Sequence, residues 1–407
     1  METLPIIYLA YMFVSIYFLS LFLSLYFKNR KDFFNYPKTD KKYSISVLVP
    51  AWNEEETIEG TVRAIFAAES NLKEIIVLND GSEDNTKKIV EKLLKEYPKL
   101  ILLNKKNSGK ADSLNQGLEI AKGELVAVVD ADSYPAKGSF EKMSGFFEDI
   151  KVGAVTCVFV PRNEKRFFER LQTIEYNVIA FTRKLLDYVD AIYVTPGPLA
   201  LYRKSALKKI GGFDKNNITE DIEATWHLTC EGYKRRMCLA THATTTVPIK
   251  FKAWYKQRRR WNIGGLQCIS KYKKYFFKKG MLGFFILPFF ILQLFLGLLG
   301  LSIFVYLVST RFISNFFYTR YSIELGTSII TMNDFLITPS FLNYLGVILF
   351  VAGGLFTILV LSIMKSKILV KQNIFNMLIY LVVYLSVYPF IMITAIYHFI
   401  RGTGTWR

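Results

Sequence analysis

The chain opens on an uncharged apolar stretch, residues 4–27. About 20 such residues suffice to cross a bilayer as a helix, so this stretch predicts a membrane helix. No small-residue cleavage site follows, which makes it an anchor rather than a signal peptide. Lys28, Arg30 and Lys31 come next, and basic residues beside a span favour the cytoplasmic side. From residue 43 to about residue 268 the pattern changes. Short apolar or β-branched runs at 44–49, 74–78, 99–103 and 124–129 alternate with charged, helix-like stretches at 57–68, 84–96, 110–121 and 139–147. This alternation predicts an α/β domain on a mostly parallel, doubly wound sheet, with ligands at the carboxyl ends of the strands. Residues 166–189 set Phe167, Phe168, Leu171, Ile174, Phe181 and Leu185 among charges. They read as a core-facing helix or as one lying in the membrane interface. Residues 255–280 mix aromatic and basic positions directly before an apolar run, and predict an interfacial helix. Three apolar runs follow at 281–308, 342–364 and 374–400, within a C-terminal membrane region spanning 281–400. A polar connection is expected at 311–340, on the outer side. Lys365, Lys367 and Lys371 mark a cytoplasmic turn, and the count of crossings leaves 401–407 outside.

Composition sharpens this picture. Hydrophobic residues make up 51% of the 407 and charged residues 21%, a low charge content for a soluble enzyme. The formal net charge of +18 admits nucleic-acid binding. However, the basic residues crowd against apolar runs, as at Lys271, Lys273, Lys274, Lys278 and Lys279. That pattern fits an anionic lipid surface, so no nucleic-acid partner is expected. Cys157, Cys230, Cys238 and Cys268 form no C-x-x-C pair, and His227, His242 and His398 are scattered. Neither a zinc site nor a disulfide framework is expected.

The candidate chemistry lies at the predicted strand ends. Asn53 and Glu54 follow the first strand, where a ligand-reaching turn and a helix-capping loop read equally well. Asp80 and Gly81 follow the second; the pair is either an Asp-Gly turn or an acceptor for a base or ribose. Asn107-Ser108-Gly109-Lys110 opens a helix, and a helix N-terminus with a lysine suits a diphosphate. Its spacing is not that of a P-loop. The fourth strand ends in Asp130-Ala131-Asp132. Two carboxylates one residue apart on an extended chain point the same way, and a cation between them and a phosphate relieves their repulsion. Mg²⁺ or Mn²⁺ is the expected metal, on Asp130 and Asp132. Thr219-Glu220-Asp221 precedes a helix; the acids either favour its N-terminus or supply a general base. Gln257-Arg258-Arg259-Arg260-Trp261 stands before the membrane. It reads as a lipid-facing run, or as a site where Trp stacks on a sugar and Arg neutralises a diphosphate.

In this order the motifs resemble the family 2 glycosyltransferases. In particular they resemble the processive membrane synthases of cellulose, chitin, hyaluronan and poly-N-acetylglucosamine. The family pattern is an Asp after the second strand, an Asp-x-Asp, a Glu-Asp and a Gln-x-x-Arg-Trp box. These stand here as Asp80, Asp130 and Asp132, Glu220 and Asp221, and Gln257, Arg260 and Trp261. The stretch from Gly197 to Arg203, leading to Asp214, is similar to the family's acceptor-side segment. Residues 172–176 and 218–226 look closest to the poly-N-acetylglucosamine synthases. The likeness covers about residues 43–265.

The resemblance implies an α/β GT-A cytoplasmic domain fused to a transmembrane bundle. It implies inverting transfer from a UDP-sugar, first of all UDP-N-acetylglucosamine, to a glycan acceptor. Asp221, with Glu220, would be catalytic. Glu54, Asp80, Lys110, Asp130 and Arg260 would serve the donor, and Gln257 and Trp261 the acceptor. Membrane lipid and a small accessory membrane subunit are the further partners implied. The chain has one span before the catalytic domain where several relatives have two. Gln293, Tyr306, Tyr380, Tyr384 and Tyr388, with the tail 402–406, are expected to help a polymer cross the membrane. Two rival readings are transfer of one sugar to a lipid carrier and a transporter with a nucleotide-binding domain. The second is disfavoured because His398 is nearly the only ionisable residue in the apolar runs.

Overall fold

The structure is a computed structural model that describes residues 3–69, 72–326, 341–365 and 374–402. Lys367, Lys371 and the tail from Thr403 onward lie outside the described residues.

After α1 (Thr3–Asn29), four strands alternate with three helices: β1 (Ile45–Ala51), α2 (Ile58–Ala68), β2 (Leu72–Asp80), α3 (Thr86–Leu93), β3 (Leu100–Lys105), α4 (Lys110–Ile120) and β4 (Leu125–Val128). β3, β2, β1 and β4 pair in parallel in that order. Successive residues of a strand face opposite ways. Val47 and Val49 therefore pack with Ile58, Val62 and Ile65 of α2, while Leu48 packs with Leu114 and Leu118 of α4. Helices cover both faces, which is why these strands are apolar throughout.

The second half of the sheet is mixed. It contains β5 (Ser133–Pro135), β6 (Val152–Pro161), β7 (Ala200–Arg203) and β8 (Lys234–Thr245), giving the order β3-β2-β1-β4-β7-β6-β8-β5. β7 runs antiparallel to both β4 and β6, β8 is parallel to β6, and β5 is antiparallel to β8. The four expected strands are present within a few residues. The mostly parallel arrangement holds for the first half and gives way beyond β4. Helices α5 (Ser139–Ser144), α6 (Phe167–Asp187), α7 (Lys204–Lys209) and α8 (Glu220–Cys230) connect these strands.

α6 packs on two sides. Phe181 and Leu185 pack on Val158, Met237 and Leu239 of the sheet. Leu171 and Ile174 meet Trp254, Tyr380, Tyr384 and Ile391. It is buried between the sheet and the apolar helices. α9 (Phe251–Tyr272) follows β8 and leads, through a π-turn at Leu282–Ile286, into α10 (Leu287–Glu324). α11 (Phe341–Ile363), α12 (Ile374–Ile379), a second π-turn at Tyr380–Tyr384 and α13 (Tyr388–Ile400) complete the described chain. Among the described residues, four segments are long and apolar enough to cross a membrane: Pro5–Asn29, Leu282–Glu324, Gly346–Ile363 and Phe375–Ile400.

One expectation is corrected here. The connection predicted from residue 311 is helical as far as Glu324. Polar positions such as Arg311 and Asn315 do not end a helix. The chain breaks only at Gly326, whose φ of +64° suits a residue without Cβ. At ~1.5 Å per residue, 38 residues exceed the roughly 30 Å of a hydrocarbon core.

Candidate active site

The carboxyl edge of the parallel strands gathers the predicted motifs. After β1, Asn53 takes a left-handed φ of 56°. Its backbone N–H donates to Ser82 Oγ at 3.0 Å, and its Oδ1 accepts the Glu83 N–H at 2.9 Å. The Glu54 N–H donates to Thr86 Oγ1 at 2.8 Å, so the loops after β1 and β2 are stitched together. Thr57 donates to the Glu54 carboxylate at 2.7 Å. Burial raises the Glu54 pKa; Thr57 opposes this, and Asp130 and Asp84 add to it.

Asp80, at the end of β2, is buried. Its two oxygens accept the backbone N–H groups of Ser108 at 2.9 Å and Gly109 at 2.8 Å, and Lys105 pairs with it. Asp80 thereby pins the loop that opens α4. Gly81 needs its missing side chain, because a Cβ there would lie 2.7 Å from the Asn107 backbone nitrogen.

Lys110, the first residue of α4, is the hub. Its ammonium lies 2.7 Å from Asp130 Oδ1 and 2.7 Å from Glu220 Oε1. Burial opposes its charge, but Asp130, Glu220 and Asp221 together drive its pKa upward. Gly197 closes the back of this cluster: a Cβ there would stand 2.6 Å from both Asp130 oxygens and 2.8 Å from the Lys110 nitrogen. The Asp130 N–H donates to the Gly197 carbonyl at 3.0 Å.

Asp132 accepts from Ser133 Oγ at 3.1 Å and faces Thr245 Oγ1 at 3.5 Å. Burial, then Asp130 and Glu54, push its pKa up to about 7. Three acids thus repel one another here with a single ammonium nearby. Among the described residues, no group of three or more acid, His or Cys side chains is arranged to hold a metal by itself. Such a half-built, acid-rich site fits an ion like Mg²⁺ or Mn²⁺, which commonly binds one or two carboxylates and takes the rest of its shell from phosphate and water.

Glu220 and Asp221 form the first turn of α8. Glu220 is buried; Asp221 is half-buried and accepts the Ile222 N–H at 2.9 Å. Burial and Glu220 push the Asp221 pKa up to about 6, with Lys110 pulling against them. α9 packs on this turn from the side of the apolar helices. Gly264 packs so closely that a Cβ there would lie 1.8 Å from Thr219 Oγ1. The Ile218 N–H donates to Gln267 Oε1 at 3.0 Å. Trp261 stands three residues before Gly264, so the two share a helix face. Gln257 and Arg260 lie one turn before Trp261 and Gly264. Gln257 Oε1 accepts Arg258 Nη1 at 2.5 Å, Arg260 is half-buried, and the Arg258 guanidinium lies 4.1 Å from the Trp261 ring centroid.

The tyrosines named from sequence fare differently. Tyr384 and Tyr388 donate to Glu175, and Tyr380 is buried against Tyr384. Tyr306 and Gln293 are exposed on α10. Two buried charges escaped attention as site residues. Glu175 is one. Arg183 is the other: its Nε has no hydrogen-bond partner, and its guanidinium lies 5.9 Å from the Phe159 ring centroid. An ionisable residue inside an apolar helical pattern was the available signal for both.

A sheet of this order with an Asp-x-Asp at its carboxyl edge defines the GT-A class. The fold agrees with that of a mannosyltransferase from Pyrobaculum calidifontis solved with GDP-Man and Mn²⁺, with a TM-score of 0.52 at 22% identity, covering 70% of this chain and 85% of that one. Residues 46–211 match the model of glycosyl transferase family 2. The poly-beta-1,6-N-acetyl-D-glucosamine synthase of Staphylococcus aureus strain COL is 32% identical over 268 residues, 64% of each chain. That of Staphylococcus epidermidis is 34% identical over 229 residues, 56% of each. The matches span just under two thirds of the S. aureus relative's own length.

Proposed function

We propose that this protein is a membrane-embedded, inverting glycosyltransferase that uses a UDP-sugar, foremost UDP-N-acetylglucosamine, to extend a β-linked glycan from the cytoplasmic face. The observation that carries the reading is the Lys110 bridge, which holds the Asp-x-Asp carboxylate and the Glu220-Asp221 turn in one cluster. The sugar polymerised by the two staphylococcal synthases supports the choice of donor.

In this reading Asp221 is the general base. Its carboxylate takes the proton of the acceptor hydroxyl as that oxygen attacks the anomeric carbon and the bond to the diphosphate breaks. A pKa near 6 leaves it ionised yet basic at neutral pH. Glu220 holds Lys110, and Lys110 and Arg260 balance charge on the leaving nucleoside diphosphate. Glu54 and Asp80 shape the donor pocket, Asp80 through the loop it pins. Asp130 and Asp132 would hold Mg²⁺ or Mn²⁺, which supplies Lewis-acid stabilisation of the diphosphate. Trp261 offers an indole face to the acceptor sugar, with Gln257 beside it.

The polymer then crosses the bilayer through the apolar helices, in contact with membrane lipid and with a small accessory membrane subunit as a further partner. Single transfer to a lipid carrier is the alternative. Purified full-length protein incubated with a panel of UDP-sugars and Mg²⁺ or Mn²⁺, with products sized, tests both. Polymer from one UDP-sugar is the expected result. A single added sugar moves the reading to the alternative, and no transfer from any UDP-sugar overturns it.

A further inference from the structure

Three parts of the molecule meet at one carboxylate. Glu175, in the middle of α6, accepts Arg258 Nε at 3.0 Å on Oε1 and Arg258 Nη2 at 2.5 Å on Oε2. The Tyr384 hydroxyl donates to Oε2 at 2.6 Å, and the Tyr388 hydroxyl donates to Oε1. Trp254 Nε1 donates to the Tyr384 hydroxyl at 2.6 Å. Arg258 and Trp254 belong to α9. Tyr384 ends the second π-turn, and Tyr388 begins α13. The side chains of Arg258 and Glu175 are 1% and 5% exposed.

Stability does not explain such a pair. Well-packed apolar residues in place of a buried ion pair are often as stable or more so. Its geometry points elsewhere. Glu175 fixes the Arg258 guanidinium, which lies 4.1 Å from the centroid of Trp261. The π-turn, a geometry frequent at functional sites, sets Tyr384 and Tyr380 against the same cluster. A continuous line of contacts therefore runs from the last apolar segment through Glu175 and Arg258 to the indole.

We propose that Glu175, Tyr384 and Tyr388 are positioning residues that hold Arg258 against Trp261, so that the last apolar segment sets the orientation of the face on which a neutral pyranose of the acceptor stacks. This rests on Trp261 being the acceptor platform in the proposed function. The three residues act through Arg258, which Glu175 and Tyr388 bond directly and Tyr384 reaches through Glu175. Their loss acts on the acceptor and leaves the diphosphate site as it was.

The test uses full-length protein in lipid nanodiscs, with a β-1,6-linked N-acetylglucosamine tetramer as the acceptor probe. Acceptor KM, kcat, product length and UDP affinity are measured for each variant. Tyr388→Phe and Glu175→Gln are each expected to raise acceptor KM about tenfold, the low end for one lost hydrogen bond to a charged group. Product should shorten, with UDP affinity unchanged. Glu175→Gln leaves Arg258 buried without its counter-charge and can unfold. The paired Glu175→Met/Arg258→Met variant removes that problem, and should keep the wild-type Tm while acceptor KM stays raised. Unchanged acceptor KM and product length in folded Tyr388→Phe and in the paired variant overturn the inference. Trp261→Ala is the control on the underlying reading. If that change alone leaves acceptor KM unmoved, the platform role fails and this inference falls with it. If it raises KM while the other variants do not, only the positioning role fails.

Discussion

Lys110 Nζ lies 2.7 Å from Glu220 Oε1, joining residues 110 positions apart at the N-termini of α4 and α8. The same nitrogen holds Asp130, so one ammonium joins the end of β4 to the first turn of α8. Lys110→Met should release the repulsion of Asp130, Glu220 and Asp221. We predict a fall in kcat/KM of at least about 100-fold, the scale of losing a buried charge pair's partner. Lys110 also holds the Asp221 pKa down, so any residual activity should have its acid limb moved to higher pH. An unshifted limb would separate Lys110 from the base.

Asp221→Asn should keep UDP binding and lose transfer, because a carboxamide cannot take the acceptor proton. The sign of the pH effect follows from its raised pKa. Below about 6 the wild-type base is protonated, and log kcat/KM should fall toward acid with unit slope. Calorimetry with UDP and steady-state rates measure the two halves. Retention of more than about a tenth of the rate removes Asp221 from the role.

The proposed metal site at Asp130 and Asp132, with Glu54 beside it, predicts a metal dependence. Binding of UDP by calorimetry should strengthen with Mg²⁺ or Mn²⁺ and weaken in excess chelator. Asp132→Asn should abolish that dependence, and Asp130→Asn should reduce it less, because Asp130 is already paired with Lys110. Equal UDP affinity with and without metal in the wild type would refute the assignment.

The parallel half of the sheet was legible because each of its strands is an apolar run closed by a polar turn. Asp80, Asp130 and Asp132 could be read there as strand-end residues. β6, β7 and β8 were not legible. β7 is four residues long, and β8 carries Arg235, Arg236 and His242 within its length. Local pattern could not show that Arg235 is buried and spends its donors on the carbonyls of Asp190, Ile192 and Tyr233. The same limit hid Glu175, whose partners Arg258 and Tyr388 lie 83 and 213 residues away in the chain. The polar positions after Arg311 suggested a loop, where α10 runs on to Glu324.

The topology follows from charge bias and from α10. Ser309 and Thr319, beyond the apolar part of α10, should lie on the outer side, and Lys365, after α11, on the cytoplasmic side. Single cysteines at these positions, in a background without Cys157, Cys230, Cys238 and Cys268, would be labelled by an impermeant reagent on intact cells. Thr319 should react and Lys365 should be protected. Labelling of Lys365 alone would reverse the arrangement, and labelling of both would refute the crossing by α11.

The close approach of Gly264 to Thr219 gives a prediction with an internal rescue. α9 carries Gln257 and Trp261, the proposed acceptor residues, and its hold on the Thr219-Glu220-Asp221 turn depends on a residue with no side chain. A Cβ at Gly264 would meet Thr219 Oγ1 at 1.8 Å, Cγ2 at 2.6 Å and Cβ at 2.7 Å. Overpacking of this kind costs roughly 1–3 kcal/mol and moves backbone. Gly264→Ala should therefore lift α9 away from the base. The three atoms nearest a Cβ at Gly264 all belong to Thr219, so UDP affinity should hold while transfer falls by on the order of 10²-fold, as misplacement of about 1 Å can cause. Thr219→Ala removes the two nearer of the clashing atoms and leaves the Cβ. The Gly264→Ala/Thr219→Ala pair should recover at least about a third of the lost Tm, and a measurable part of the transfer rate, as coupled neighbours do. Thermal denaturation and product formation are compared across the wild type, both singles and the pair. Additive losses in the pair would mean that Gly264 is needed for something other than the seat of α9 on Thr219.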